Sequence, residues 1–258
     1  MTTSDDWWKP ENLKAKEIEF REIADSTKLN VGNDFGSYRK VLLTGEIKGS
    51  LLGLHNELNP LRKIRAVDKL LKNIKPKNIL DAGCGMGFTT AALADFYINA
   101  RVLGVDVSND AIQYSTLHHK QANFLSIALS PSSEKIGIFD LIYCFEFYPF
   151  TRTSDYKIQA EFIDYFSKQL TPQGKIVIYQ LWENPLSLSS VIEKVITSLP
   201  HLKFSIYTIP NPRLTQYLSE STALIFGLFI EKILGRKLQK TVVLIELRRV
   251  LPTLEGSV

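Results

Sequence analysis

Residues 78–90 read NILDAGCGMGFTT: a short apolar run closes on Asp81, glycines follow at positions 83, 85 and 87, and a helical pattern begins at Phe88. Glycine lacks a Cβ, so such a turn lets backbone come close to a ligand and lets the next helix aim its amides at a polar group. The spacing separates two kinds of glycine-rich turn. A dinucleotide fingerprint, G-x-G-x-x-G, needs a third glycine at the position that Phe88 holds. The turn therefore serves a different ligand.

Working outward, Arg101–Asp106 (RVLGVD) predicts a second strand ending in an acid, with Ser108 placed to cap the helix that follows. A carboxylate at that point can accept hydrogen bonds from both hydroxyls of a ribose. Phe139–Phe145 (FDLIYCF) is a continuous apolar run, as expected of a strand buried on both faces of a parallel sheet. Thr171-Pro172-Gln173-Gly174 predicts a turn leading into a further strand, KIVIYQ. Helical spacing recurs between these strands. Ile64, Val67, Leu70 and Leu71 lie on one side of a helix over Leu61–Ile74, which Pro76 ends. Phe88, Ala91, Ala92 and Phe96 mark a second, Ile158 to Leu170 a third, and Leu188 to Leu199 a fourth. Alternating strands and helices argue for a largely parallel sheet covered on both faces.

Together D-A-G-C-G-M-G, the acid at 106, the apolar run at 139–145 and the Pro/Gly turn at 171–174 resemble the class I S-adenosylmethionine-dependent methyltransferases. The resemblance covers roughly residues 78–180. It implies a doubly wound, Rossmann-like α/β fold: a mostly parallel seven-stranded sheet with an antiparallel edge pair, Phe204–Thr208 and Thr241–Leu247. It also implies S-adenosylmethionine as cofactor. Gly83 and Gly85 would offer backbone to its methionine part, with Gly87 completing the turn. Asp81 would face its ammonium, and Asp106, with Val107 beside it, its ribose. Many members hold the adenine amino group with an acid or asparagine after the third strand. This chain reads NFLSIALS at 123–130, leaving Ser126 or the backbone around Ile127 and Ala128 for that task.

In open α/β sheets the ligand binds beyond the carboxyl ends of the strands. After the fourth strand stand Glu146, Phe147, Tyr148, Pro149 and Phe150, and after the fifth Leu181, Trp182, Glu183 and Asn184. Aromatic walls suit a sulfonium and a planar acceptor. Methyl transfer is an in-line displacement governed by positioning, with a base needed only where the acceptor carries a proton of high pKa. Glu146 and Tyr148 are the catalytic candidates, with Tyr179 and Glu183 behind them. Tyr38, Phe147, Tyr179 and Trp182 are the candidate substrate contacts. The Asn/Asp-Pro-Pro-Tyr signature of amino- and base-directed relatives is absent, Glu146-Phe147-Tyr148-Pro149 standing in its place, which disfavours exocyclic nucleobase methylation. No His/Cys/carboxylate spacing points to a metal, and His118 and His119 read as surface residues away from the cleft.

Residues 1–75 read as a helical extension whose glycine-dense part, with Phe35 and Tyr38, suits a lid or an arm stapled to the core. The resemblance implies that residues 76–258 make the Rossmann-like methyltransferase domain, with a helical insertion at about 210–240. Within that insertion Thr222–Leu234 is apolar nearly all round. Packing on the body, a pocket wall, a homodimer contact and membrane association all remain open for it.

Two cysteines, an N-terminus without a signal pattern and no apolar run long enough to span a bilayer point to a soluble protein of the cytoplasm. A net charge of +4 favours a small-molecule substrate over nucleic acid, and the cluster Arg236, Lys237 and Lys240 reads as a solvated face. The expectation is a methyltransferase for a small, partly apolar or aromatic acceptor, O-methylation being preferred to N or C. An RNA or protein methyltransferase and a non-catalytic cofactor-binding subunit are the alternatives.

Overall fold

A computed structural model describes residues 58–72, 74–151, 153–180, 187–211, 214–215, 217–234 and 239–248. The lid or arm with Phe35 and Tyr38, and the post-strand residues Trp182 and Glu183, lie outside the described residues.

The elements run α1 (Leu58–Leu71), β1 (Asn78–Ala82), α2 (Phe88–Phe96), β2 (Arg101–Asp106), α3 (Asn109–His118), β3 (Asn123–Ser126), β4 (Phe139–Phe145), α4 (Tyr156–Ser167), β5 (Leu170–Gln180), α5 (Leu188–Ser198), β6 (Leu202–Ile209), α6 (Glu220–Leu234) and β7 (Lys240–Leu247). They build one seven-stranded sheet in the order β3-β2-β1-β4-β5-β7-β6. β1 to β5 are parallel, while β7 is antiparallel to both β5 and β6. The sequence expectation of a doubly wound sheet with an antiparallel edge pair holds.

Strand side chains alternate between two cores, because successive residues of a strand point to opposite faces. Ile79, Leu141, Tyr143, Val177 and Tyr179 pack with Ile64, Val67 and Leu71 of α1 and Leu93 of α2. Leu80, Ile142, Cys144, Ile176 and Ile178 pack on the other face with Phe162 and Phe166 of α4 and Leu188 and Val195 of α5. Burial on both faces is why these strands read as unbroken apolar runs. Tyr97 pins α1 to the sheet, donating to Asp68 at 2.8 Å and standing 3.4 Å from the Tyr143 hydroxyl. Ser108 caps α3 as expected, its hydroxyl accepting the Ala111 amide at 3.3 Å.

Two local expectations are corrected. α1 ends at Leu71, with Lys72 in the left-handed region at φ 55°, so the helix stops before Pro76 is reached. Thr171-Pro172-Gln173-Gly174 does not precede β5 but lies within it, at a register shift where Leu170 pairs with Phe139 and Lys175 already with Leu141. α6, whose role the sequence left open, buries its small residues Ala223 and Gly227, while most of its large apolar side chains face water.

Pairing brings the ends of the strands to one edge. Asp106 is opposite Ser126, Asp81 opposite Tyr143, Phe145 opposite Tyr179, and the end of β6 opposite the start of β7. The loops after β1, β2, β4 and β5 and the insertion carrying α6 therefore all emerge at the same end.

Candidate active site

All three glycines of the turn have left-handed backbone, at φ 74° for Gly83, 52° for Gly85 and 78° for Gly87. An L side chain resists that region, which explains the alternate spacing. The turn is sewn to β2, with the Gly83 and Cys84 amides both donating to the Val105 carbonyl at 2.8 and 3.0 Å. A Cβ on Gly83 would stand 2.7 Å from Phe147, so the loop after β4 packs directly on this turn. A Cβ on Gly87 would stand 2.8 Å from Phe124 and Ser115, leaving the start of α2 no room for a side chain.

Asp106 organises the next loop. Its carboxylate accepts the Gly85 amide at 2.9 Å on one oxygen and the Ser108 amide at 2.9 Å on the other. Burial raises its pKa, against hydrogen bonds from Ser108, Gly85 and Val107 that lower it. A carboxylate offers about four lone-pair positions, so beyond these backbone amides it keeps acceptor capacity for an outside hydroxyl. That spare acceptor suits a ribose hydroxyl. Beside it, the Ile127 amide donates to the Asp106 carbonyl at 3.1 Å, and the Ser126 hydroxyl is engaged by Asn109.

Asp81 is buried at the end of β1 and accepts the Thr90 hydroxyl at 2.7 Å. Burial pushes its carboxyl up to about 7, with Thr90 and Lys63 opposing the rise and Asp106 adding to it. A carboxyl balanced at neutrality becomes a full anion when a cation arrives beside it. An α-ammonium fits that description.

The loop after β4 begins with Glu146, whose backbone is left-handed at φ 57°. Its amide donates to the Tyr179 carbonyl at 3.1 Å and its carbonyl accepts the Thr151 hydroxyl at 3.3 Å. A non-glycine residue held in this region costs energy, and such outliers cluster at functional sites. Phe147 turns toward α4, its ring 5.8 Å from both Phe162 and Phe166. Tyr148 stands edge-on to Phe162 at 6.1 Å and is half-buried. Tyr179 is fully buried on the α1 face, 5.1 Å from the Phe145 ring, its hydroxyl without a hydrogen-bond partner among the described residues. Burial first, then the Glu146 charge, raises the Tyr179 phenol.

The structure thus gathers Asp81, Gly83, Gly85, Asp106, Glu146 and Phe147 at one edge, with Val107, Ser126 and Ile127 flanking Asp106. Two participants were not read from sequence. Lys63 is a buried cation of α1 with its ammonium 5.8 Å from the centre of the Tyr179 ring. It falls among the buried positions Pro60, Ile64 and Val67, and a lysine inside an apolar stripe is the signal that would have found it. His119 is not remote from the site: its Nε2 lies 3.1 Å from the Met86 carbonyl and its ring packs edge-on against Phe88. The cap of α3 brings it there, which residue spacing along the chain does not reveal. Among the described residues no group of three His, Cys, Asp or Glu side chains could hold a metal ion, and no helix is long and apolar enough to cross a membrane.

This sheet order, the glycine turn under Asp106 and the carboxylate at the end of β1 define a Rossmann-like class I methyltransferase, the class that uses S-adenosylmethionine. The chain belongs to the methyltransferase-domain family, whose model matches residues 74–217. It is 32% identical over 104 residues to a ubiquinone biosynthesis O-methyltransferase of Shewanella halifaxensis, covering 38% of this chain and 42% of that protein's length. The match therefore spans less than half of that relative. Among solved structures, the plantazolicin methyltransferase BpumL, in complex with a monoazolic desmethylPZN analog and S-adenosylhomocysteine, superposes with a TM-score of 0.56 at 18% identity, over 92% of this chain and 98% of that one. The N-methyltransferase NodS of Bradyrhizobium japonicum, also with S-adenosylhomocysteine, gives 0.53 at 18% identity over 84% and 100%. Both likenesses are of fold.

Proposed function

We propose that this protein transfers a methyl group from S-adenosylmethionine to a hydroxyl of a small, partly apolar or aromatic acceptor. When bound, the cofactor supplies an electrophilic methyl on a sulfonium. Asp106 accepts hydrogen bonds from its ribose, Asp81 faces its ammonium, and Ser126 and the Ile127 backbone border its base. Gly83 and Gly85 let the chain lie close to the methionine part. Phe147, packed on Gly83, holds the loop that presents Glu146.

The observation that carries the reading is Glu146. A carboxylate on a strained backbone, at the end of a strand beside the glycine turn and next to an aromatic cluster, would take a hydroxyl proton as the oxygen attacks. Amine acceptors need no such base once neutral, which supports oxygen over nitrogen. The O-methyltransferase name of the curated relative points the same way. Tyr148, Tyr38 and Trp182 complete the proposed acceptor wall.

The experiment is titration calorimetry with S-adenosylhomocysteine, followed by mass-spectrometric product detection over panels of catechols, alkyl phenols and aromatic amines. A methyl ether as the main product is expected. Absence of cofactor binding, or methylation confined to amines, would overturn the reading.

A further inference from the structure

We propose that α6 is the contact through which two copies of this chain associate. A surface helix ordinarily turns its large apolar residues inward. α6 does the reverse. Its buried positions are the small residues Ala223 and Gly227, and a Cβ on Gly227 would find Gln239 and Leu214 at 3.9 Å. Outward face Ile225 at 68% exposure, Phe226 at 43%, Leu228 at 53%, Phe229 at 61% and Ile233 at 64%.

Taking about 200 Å² for each large side chain, these five leave roughly 600 Å² of apolar surface in water, the upper end of what a monomer's largest patch shows. Two such faces meeting across a twofold axis would remove roughly 1,200 Å² in total, which reaches the range of stable specific interfaces. The outward residues also fall in register for helix pairing: Thr222, Phe226, Phe229 and Ile233 are spaced four, three and four apart, the seam of a coiled-coil contact.

Charge within α6 itself favours the second copy over a lipid surface, the basic residues Arg236, Lys237 and Lys240 lying beyond its end. A helix lying in a membrane interface carries several basic residues beside its apolar face. α6 has one lysine, Lys232, against Glu220 and Glu231, and Glu220 is already engaged by Lys69 of α1. A neutral, aromatic-rich face suits a copy of itself.

The test is sedimentation equilibrium on the full chain at tens of micromolar. The expected mass is twice the 29.3 kDa of one chain, falling to a single chain in Ile225→Glu/Phe229→Glu, with at least a tenfold rise in the dissociation constant. Should that variant fail to fold, Phe229→Cys decides. Cys84 and Cys144 are both buried, so a short bismaleimide should join two chains through position 229 and not through a control cysteine at the exposed Ile98, at the opposite end of the sheet. A wild-type protein of single-chain mass overturns the proposal, and if radical footprinting then finds Phe229 protected, another part of the same chain covers the face. A dimer indifferent to the double change, or cross-linking equal at 229 and 98, overturns it too. The readout is mass, so its outcome is independent of the reaction assigned above.

Discussion

The Asp106 carboxylate holds the Gly85 amide at 2.9 Å across 21 positions of sequence. The residue assigned to the cofactor's ribose is therefore also a structural tie between β2 and the glycine turn. Removing it withdraws an acceptor from two backbone amides at once, those of Gly85 and Ser108. Asp106→Ala should weaken S-adenosylhomocysteine binding by on the order of 100-fold and lower stability of the ligand-free protein by about 1–3 kcal/mol. Calorimetry and urea unfolding measure the two separately. Unchanged stability would show that the tie contributes nothing to the fold.

Gly83 carries a left-handed φ of 74° and would press a Cβ to 2.7 Å from Phe147. Gly83→Ala should cost about 1–2 kcal/mol from backbone conformation alone, and displacing Phe147 should add to it. Because Phe147 supports the Glu146 loop, turnover should fall more than cofactor affinity does. Equal losses in both would mean that the two loops are not coupled.

Asp81, whose carboxyl is pushed up to about 7 chiefly by burial, gives a pH dependence with a definite sign. The folded chain holds this proton more tightly than the unfolded chain does. The associated stability is complete below about pH 4 and is lost as pH rises through 7. Ligand-free protein should therefore lose on the order of 1–4 kcal/mol between pH 4 and 8 from this group, and Asp81→Asn should flatten that part of the profile. Cofactor affinity should run the other way in the wild type, rising from pH 6 to 8 as the anion forms, and Asp81→Asn should lose that rise. A wild-type profile matching that of Asp81→Asn in both measurements would place the titration elsewhere.

Glu146 combines a carboxylate with a backbone conformation that glycine prefers, φ 57°. Glu146→Gln should reduce kcat by roughly 100-fold or more, the usual worth of a general base, with cofactor affinity little changed. Glu146→Gly should lose activity as fully and yet match or exceed the wild type in stability by up to about 1 kcal/mol, since the strain is released. Retained turnover in Glu146→Gln would remove its role as base.

Much of this architecture was legible because each element announces itself locally. NILDAGCGMGFTT contains its own strand, turn and helix start, and RVLGVD ends in the acid that the turn needs. FDLIYCF reads as buried on both faces, and it is. The irregularity at Thr171–Gly174 was not legible as part of a strand, because a Pro/Gly run reads as a turn, and only the pairing with β4 shows the four residues standing out of register opposite Asp140 between two paired positions. Nor was His119, whose neighbours Met86 and Phe88 lie far away in sequence, whereas Lys63 is marked by its place within the apolar stripe of α1.

The sequence by itself determined the class of fold, the position of the cofactor turn and the acid after β2, since these depend on glycine's freedom at positive φ and on side-chain periodicity, both properties of short stretches. Only the tertiary structure decided that Asp106 ties two loops together, that Phe147 rests on Gly83, and that α6 shows its large side chains to water. Those facts depend on which surfaces meet, and an apolar helix reads the same whether its partner is its own sheet or another molecule.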